Sequence, residues 1–228
     1  MIDEPPLLTI RRRFPRPTPE QVAALQGVPT GNLVDAMGGR GCLRHDIRAL
    51  FPDRSAMVGV AVTCHTGPAD NLALFGAVDV AGQGDVLVAA TDRCTSTAVT
   101  GDLLLGMARN KGVAGFVTDG LVRDGPGLRA VGLPVFCAGV TANSPARSGP
   151  GQIGTPVVVG DVAVNAGDVL VGDGDGVVVV PRVGIGDIIS KLVRVRAAEQ
   201  ALEAEVRDGL TVPGFIRDIL ANRSEYLD

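Results

Sequence analysis

Tryptophan is absent from the 228-residue chain, and only 3% of its residues are aromatic. A core of this size must therefore be packed from aliphatic side chains. No apolar run approaches the ~20 residues needed to cross a bilayer, so no membrane partner is expected. Positive charge is not in surplus: the formal net charge is -4, which excludes the basic footprint of a nucleic-acid binder. The start, MIDEPPLLTI, is acidic and broken by proline, unlike a secretory signal. Cys42, Cys64, Cys94 and Cys137 are scattered, with no C-x-x-C, which predicts reduced thiols packed as small residues and a cytoplasmic setting. Lysine is nearly missing, with Lys111 and Lys191 the only two among 21 basic residues. One ends a predicted helix and the other lies on a charged helix. Neither is desolvated as a Schiff-base lysine must be, so carbonyl chemistry here calls for a metal.

Glycine and proline are plentiful, at 31 and 15 residues, and they punctuate a regular pattern. Residues 18–38 predict two short helices, the first capped by Thr18, with Pro29-Thr30-Gly31 between them. Strands are expected at 56–67, 85–91, 113–120 and 133–140. A helix ended by Gly82 and one over 102–110 ended by Gly112 lie between them, the latter with Arg109 and Lys111 in its last turn. Residues 155–181 are short strands with Gly/Asp turns. A long charged helix over 186–207 and a short one over 214–222 close the chain. Alternation followed by hairpins predicts one α/β domain over 1–228, with a mixed sheet and a helical arm from about residue 186.

Strand 85–91, helix 102–110 and strand 113–119 form a β-α-β unit. Such crossovers make the two strands parallel, so the helix starts, and the second strand ends, at the carboxyl edge of the sheet. Asp102 and the pair Arg123-Asp124 are therefore expected to meet where open α/β sheets bind ligands. The first turn, Gly101 to Leu104, adds free N–H groups that suit an anion. Two carboxylates can hold a hard divalent cation. Arg123 and the amides can bind a substrate carboxylate or steady an enolate. The competing interpretation is structural: Asp102 as a helix cap and Arg123-Asp124 as a surface ion pair.

Other stretches carry less. DGDG at 173–176 fits a hairpin turn, since position 12 of a calcium loop starting at Asp173 would be Gly184 and not a glutamate. GPADN at 67–71 follows a strand but is not G-x-G-x-x-G, which argues against a dinucleotide site and a glycine-loop methyltransferase. His45 and His65 pair with no plausible nucleophile.

Asp102, twenty residues, then Arg123-Asp124 resembles the D-x20-R-D signature of class II pyruvate aldolases related to the RraA-like family. The flanks are similar too: GPADN (67–71), GVAGFVTDGLVRD (112–124), LPVFCAGVT (133–141) and AGDVLVGDGDGVVVVP (166–181). The resemblance implies an α/β/α layered fold like the phosphohistidine (swivelling) domain, assembled as a homotrimer or homohexamer. It implies cleavage of 4-hydroxy-4-methyl-2-oxoglutarate or 4-carboxy-4-hydroxy-2-oxoadipate to pyruvate and a second oxo acid, with oxaloacetate decarboxylation as a side activity. The implied roles are a divalent cation (Mg²⁺, or Mn²⁺ or Co²⁺) on Asp124, Arg123 on the enolate, and the Leu103 and Leu104 amides beside Gly101 on the pyruvyl carboxylate. Asp102 would orient a water together with a glutamate from a neighbouring subunit, with Glu199 and Glu203 both eligible. The family also holds non-catalytic regulators of ribonuclease E, which typically lack the acid matching Asp102. Here that acid is present, while Gly125-Pro126-Gly127 after the Arg-Asp pair departs from the family pattern.

Overall fold

Runs of small and β-branched residues decide where the sheet lies. The computed structural model describes residues 6–227. In chain order the elements are β1 (Leu8–Ile10), α1 (Pro19–Ala23), α2 (Thr30–Ala36), β2 (Arg48–Ala49), β3 (Met57–His65), α3 (Leu72–Val80) and β4 (Asp85–Ala90). Then come β5 (Ala98–Thr100), α4 (Asp102–Asn110), β6 (Gly115–Thr118), β7 (Leu121–Val122), α5 (Gly125–Val131), β8 (Val135–Cys137) and β9 (Gly139–Val140). The last are β10 (Gly151–Ile153), β11 (Val157–Val159), β12 (Val162–Val164), β13 (Val169–Gly172), β14 (Val177–Val180), α6 (Ile185–Arg207) and α7 (Gly214–Asn222).

The expected α/β fold with a mixed sheet is observed. Nine strands form the main sheet, in the order β1-β10-β3-β4-β6-β8-β2, with β13 on the other half of β3 and β14 beyond it. Strands β3, β4, β6 and β8 are parallel, while β10 and β13 run antiparallel to β3, β2 runs antiparallel to β8, and β1 is parallel to β10. Every residue of β4 and β6 is buried, as expected of parallel strands covered on both faces. One face packs Leu74 and Ala77 of α3, Leu104 and Leu105 of α4, and Leu128 of α5 against Val62, Leu87 and Phe116. The other carries the β11–β12 hairpin, whose Val157, Val159 and Val164 meet Val86, Val88 and Val117. Leu25, Leu33, Ile185 and Leu192 pack over Val169, Val171, Val178 and Val180.

Thr18 caps α1 as expected, in a reciprocal box with Gln21. The DGDG turn joins β13 to β14, and its Asp173 accepts bonds from the Thr30 N–H (2.8 Å) and hydroxyl (2.9 Å). That carboxylate, 143 residues away in sequence, caps α2, which has no side-chain cap of its own. Arg16 forks onto the buried Asp85 at 2.6 and 2.8 Å and ties the N-terminal segment to the start of β4.

Two expectations change. The strand expected over 133–140 is divided, with β8 in the main sheet and β9 in a separate three-stranded sheet, β5-β7-β9. The chain also leaves the main sheet between β6 and β7. There Gly120 sits so close to Thr91 that a Cβ would lie 2.6 Å from its hydroxyl. The helix α6 is not wholly an arm. Ile185 and Leu192 are buried and Ile188, Ile189 and Val195 pack beside them, and beyond Val195 every residue of the helix is exposed.

Candidate active site

The small parallel sheet β5-β7-β9 stands at the carboxyl edge of β4 and β6 and builds the site. Strand β5 leads into α4 and pairs with β7, which leads into Arg123. The Arg123 N–H donates to the Thr100 carbonyl at 3.0 Å. Asp102 and Arg123, twenty-one positions apart in sequence, thus become neighbours through one strand pair. Asp102, Arg123 and Asp124 line one cleft of about 180 Å³ with Gly101, Leu103 and Leu104. The expected convergence is therefore present, but β5 and β7, which bring it about, were not anticipated.

Two glycines sit directly against the carboxylate side chains of the site. A Cβ on Gly101 would fall 2.2 Å from Asp124 Oδ2, and one on Gly127 would fall 2.1 Å from Asp102 Oδ2. The segment Gly125-Pro126-Gly127 is the first turn of α5, with proline where its missing N–H costs nothing. Asp124 precedes that helix in the left-handed region, φ 60° and ψ 46°. Such a conformation is sparsely populated by non-glycine residues and is held here by its surroundings.

Asp102 is not the cap of α4. Gly101 occupies that position, and Asp102 is the first helical residue, its Oδ1 accepting from the Leu103 N–H at 2.7 Å. Arg123 Nε donates to Asp124 Oδ2 at 2.9 Å, and its Nη1 donates to the Ser144 hydroxyl. The guanidinium is thereby held across the cleft, with both partners partly exposed. Among the described residues no cluster of three or more His, Cys, Asp or Glu side chains gathers. Two carboxylates in an open cleft suit a hard cation of the Mg²⁺ type, which keeps waters and takes further oxygens from substrate. They do not suit a closed structural zinc site.

Glu199 and Glu203 do not join this cleft within the chain. Glu199 lies on α6 and accepts from the side chain of Asn32 on α2, while Glu203 is exposed further along the helix. The remaining wall had no sequence signal as a site: Asn71 and Phe75 come from the start of α3, and Ser144 and Arg147 come from the loop after β9. GPADN was legible as a failed nucleotide loop and as a flank of the resemblance, with no role assigned to its Asn71.

A family model described as RraA-like, Aldolase/RraA, matches residues 30–179. The chain is 34% identical over 189 residues to a Halalkalibacterium halodurans protein named "Putative 4-hydroxy-4-methyl-2-oxoglutarate aldolase", covering 83% of this chain and 90% of that one. The solved structure of Streptomyces coelicolor RraAS2, titled an unusual member of the RNase ES inhibitor RraA family, superposes with a TM-score of 0.73 at 28% identity, over 83% of this chain and 100% of that one. The structure titled as the RNA-processing inhibitor RraA from Thermus thermophilis gives 0.63 at 28% identity, over 68% and 94%.

Proposed function

The chain belongs to the RraA-like (Aldolase/RraA) family, and on that premise we propose that it is a divalent-metal-dependent carbon–carbon lyase. Its substrate is a 4-hydroxy-2-oxo acid of the 4-hydroxy-4-methyl-2-oxoglutarate or 4-carboxy-4-hydroxy-2-oxoadipate type, cleaved to pyruvate and a second oxo acid. The observation that carries this is the convergence of Asp102, Arg123 and Asp124 on the first-turn amides of α4.

Asp124 would hold the cation, through oxygen and with water in the remaining positions. When bound, the cation supplies Lewis-acid polarisation of the 2-oxo group. The protein's own groups do the rest. The Leu103 and Leu104 amides at the helix N-terminus bind the pyruvyl carboxylate. Leu103 N–H is engaged by Asp102 in the free protein, so an arriving carboxylate displaces Asp102 and turns it toward the reacting carbons. Asp102, with Glu199 or Glu203 of a neighbouring copy, orients a water that accepts the C4 hydroxyl proton. The C4–O–H electrons form the new carbonyl, the C3–C4 bond breaks, and its electron pair moves to the 2-oxo oxygen as an enolate. Arg123 is positioned to offset that charge. The water returns a proton to C3, giving pyruvate. Oxaloacetate loses carbon dioxide through the same enolate, so its decarboxylation is expected as a side activity.

The decisive measurement is pyruvate release from 4-hydroxy-4-methyl-2-oxoglutarate. Activity is expected to vanish with EDTA and to return with Mg²⁺ or Mn²⁺. Asp102→Asn is expected to lower turnover by ~10²–10⁴, the usual worth of a general acid–base group. Since Gly101 is the cap, that substitution is expected to leave stability within about 0.5 kcal/mol. A covalent adduct trapped by borohydride plus pyruvate would overturn the metal-dependent reading. The second reading is a non-catalytic regulator of an RNA-processing enzyme, favoured by the titles of the two solved relatives. It predicts no pyruvate release and no effect of Asp102→Asn on partner binding.

A further inference from the structure

One wall of the cleft is fastened by a buried carboxylate that the reaction above does not use. Asp70 accepts from the Ser148 N–H at 2.6 Å and the Gly149 N–H at 3.1 Å through Oδ2, and from the Leu72 N–H at 2.8 Å through Oδ1. Ala146 exchanges backbone bonds with the same turn, donating to the Ala69 carbonyl at 2.8 Å and accepting from the Asn71 N–H at 3.0 Å. The loop carrying Arg147 is therefore fastened to the turn carrying Asn71, on both sides of the arginine. Arg147 lies over the Phe75 ring, 5.5 Å from its centroid. Among the described residues it has no carboxylate partner, whereas Arg123 in the same cleft has Asp124. Asn71 is 4% exposed, and its Oδ1 is buried with no hydrogen-bond partner.

An unpaired guanidinium on an aromatic shelf, beside an unsatisfied buried amide, is a site waiting for a polar ligand. The buried end of the amide is its acceptor, so the end open to the cleft is the Nδ2 donor, and a donor beside a guanidinium matches a carboxylate. We infer that Arg147 and Asn71 form the subsite for the distal carboxylate of the substrate, the one that leaves on the second oxo acid, and that Asp70 is the positioning residue that holds this subsite at the cleft. This rests on the lyase reading: the pyruvyl end is bound at the α4 amides, and the distal end then faces Arg147. The subsite selects 4-hydroxy-2-oxo acids bearing a second carboxylate over those ending in a neutral group.

The test uses two acids of equal chain length. 2-Oxoglutarate ends in a carboxylate and 2-oxopentanoate in a methyl group. With Mg²⁺ present, calorimetry is expected to show that the wild-type protein favours 2-oxoglutarate by at least about tenfold, the usual worth of a hydrogen bond to a charged group. Arg147→Met keeps the stem over Phe75 and removes the charge. It is expected to abolish the preference while leaving 2-oxopentanoate binding within about twofold of wild type, since that acid has no distal carboxylate for the guanidinium to meet. Arg147 is exposed, so this variant is not expected to disturb folding. Asn71→Ala is expected to weaken 2-oxoglutarate selectively as well. Equal affinity of the wild type for the two acids, or an equal loss of both in Arg147→Met, would overturn the subsite. Pyruvate release by the wild type separates the failures. With release intact, such a result rejects the subsite alone. With no release, the lyase reading falls and takes the subsite with it.

Discussion

Cys94 has its chemistry set by the backbone around it. Partial burial works against ionisation of its thiol, but hydrogen bonds from the Ser96 hydroxyl and from the amides of Ser96, Thr97 and Ala69 outweigh it and bring the pKa down to about 7. Burial pushes Cys64 far up and Cys137 up to about 11. The thiolate is the nucleophile, so alkylation by iodoacetamide is expected to mark Cys94 first. Its rate should rise with pH through about 7 and level off above it, while Cys64 and Cys137 stay unmodified in the folded protein. Mass spectrometry over a pH series checks this, and equal labelling of all four cysteines would contradict it. By their spacing all four read alike, as small packed residues. That holds for the buried Cys64 and Cys137 but not for the exposed Cys42 or the half-buried Cys94, because a thiol's neighbours in a folded loop are not its neighbours in a motif. Asp102 makes the same point. A carboxylate at a helix start has two meanings, and only the observed cap, Gly101, separates them.

Among the elements, the near-contact of α4 and α5 is what keeps Asp102 in register. Gly127 is a helical residue of α5, where alanine is ordinarily worth about 1 kcal/mol of extra helix stability over glycine. Its added methyl would lie 2.1 Å from Asp102 Oδ2 and 2.7 Å from Asp102 Cβ, so the carboxylate has to move. Gly127→Ala is therefore expected to melt within a few degrees of wild type yet lose activity on the order of 10²-fold, as a displacement of about 1 Å can cost. Unchanged turnover in a pyruvate-release assay would mean that Asp102 is not placed by α5. The departure from the family pattern at Gly125-Pro126-Gly127 is the start of this helix.

For the whole molecule, two groups of exposed apolar side chains bear on the site. Leu103 and Met107, one turn apart on α4, are 77% and 50% exposed at the rim of the cleft. Beyond Val195 the arm exposes Leu202 and Val206, and α7 exposes Phe215, Ile219 and Leu220. Faces of this kind mark contacts with other chains. A closed assembly would cover both and bring Glu199 or Glu203 of one copy to the cleft of the next. Light scattering is expected to report a trimer or a hexamer. A monomer at micromolar concentration would remove any role for those glutamates in catalysis. No helix among the described residues is long and apolar enough to cross a membrane.

Periodicity and turn residues determined most of the elements, because burial in a parallel sheet and helix capping leave their marks within a few residues: the buried strands, the Thr18 box, the DGDG hairpin and the meeting of Asp102 with Arg123-Asp124 at one edge. What the tertiary structure decided depends on groups far apart in the chain. Asp173 caps α2 across 143 positions, Asp70 pins the loop at 146–149, and the β5-β7-β9 sheet rises from strands of two or three residues too short to show a period. Arg147 and Asn71 became a site only there, since an exposed arginine and a buried amide acquire a shared ligand through the fold that sets them side by side.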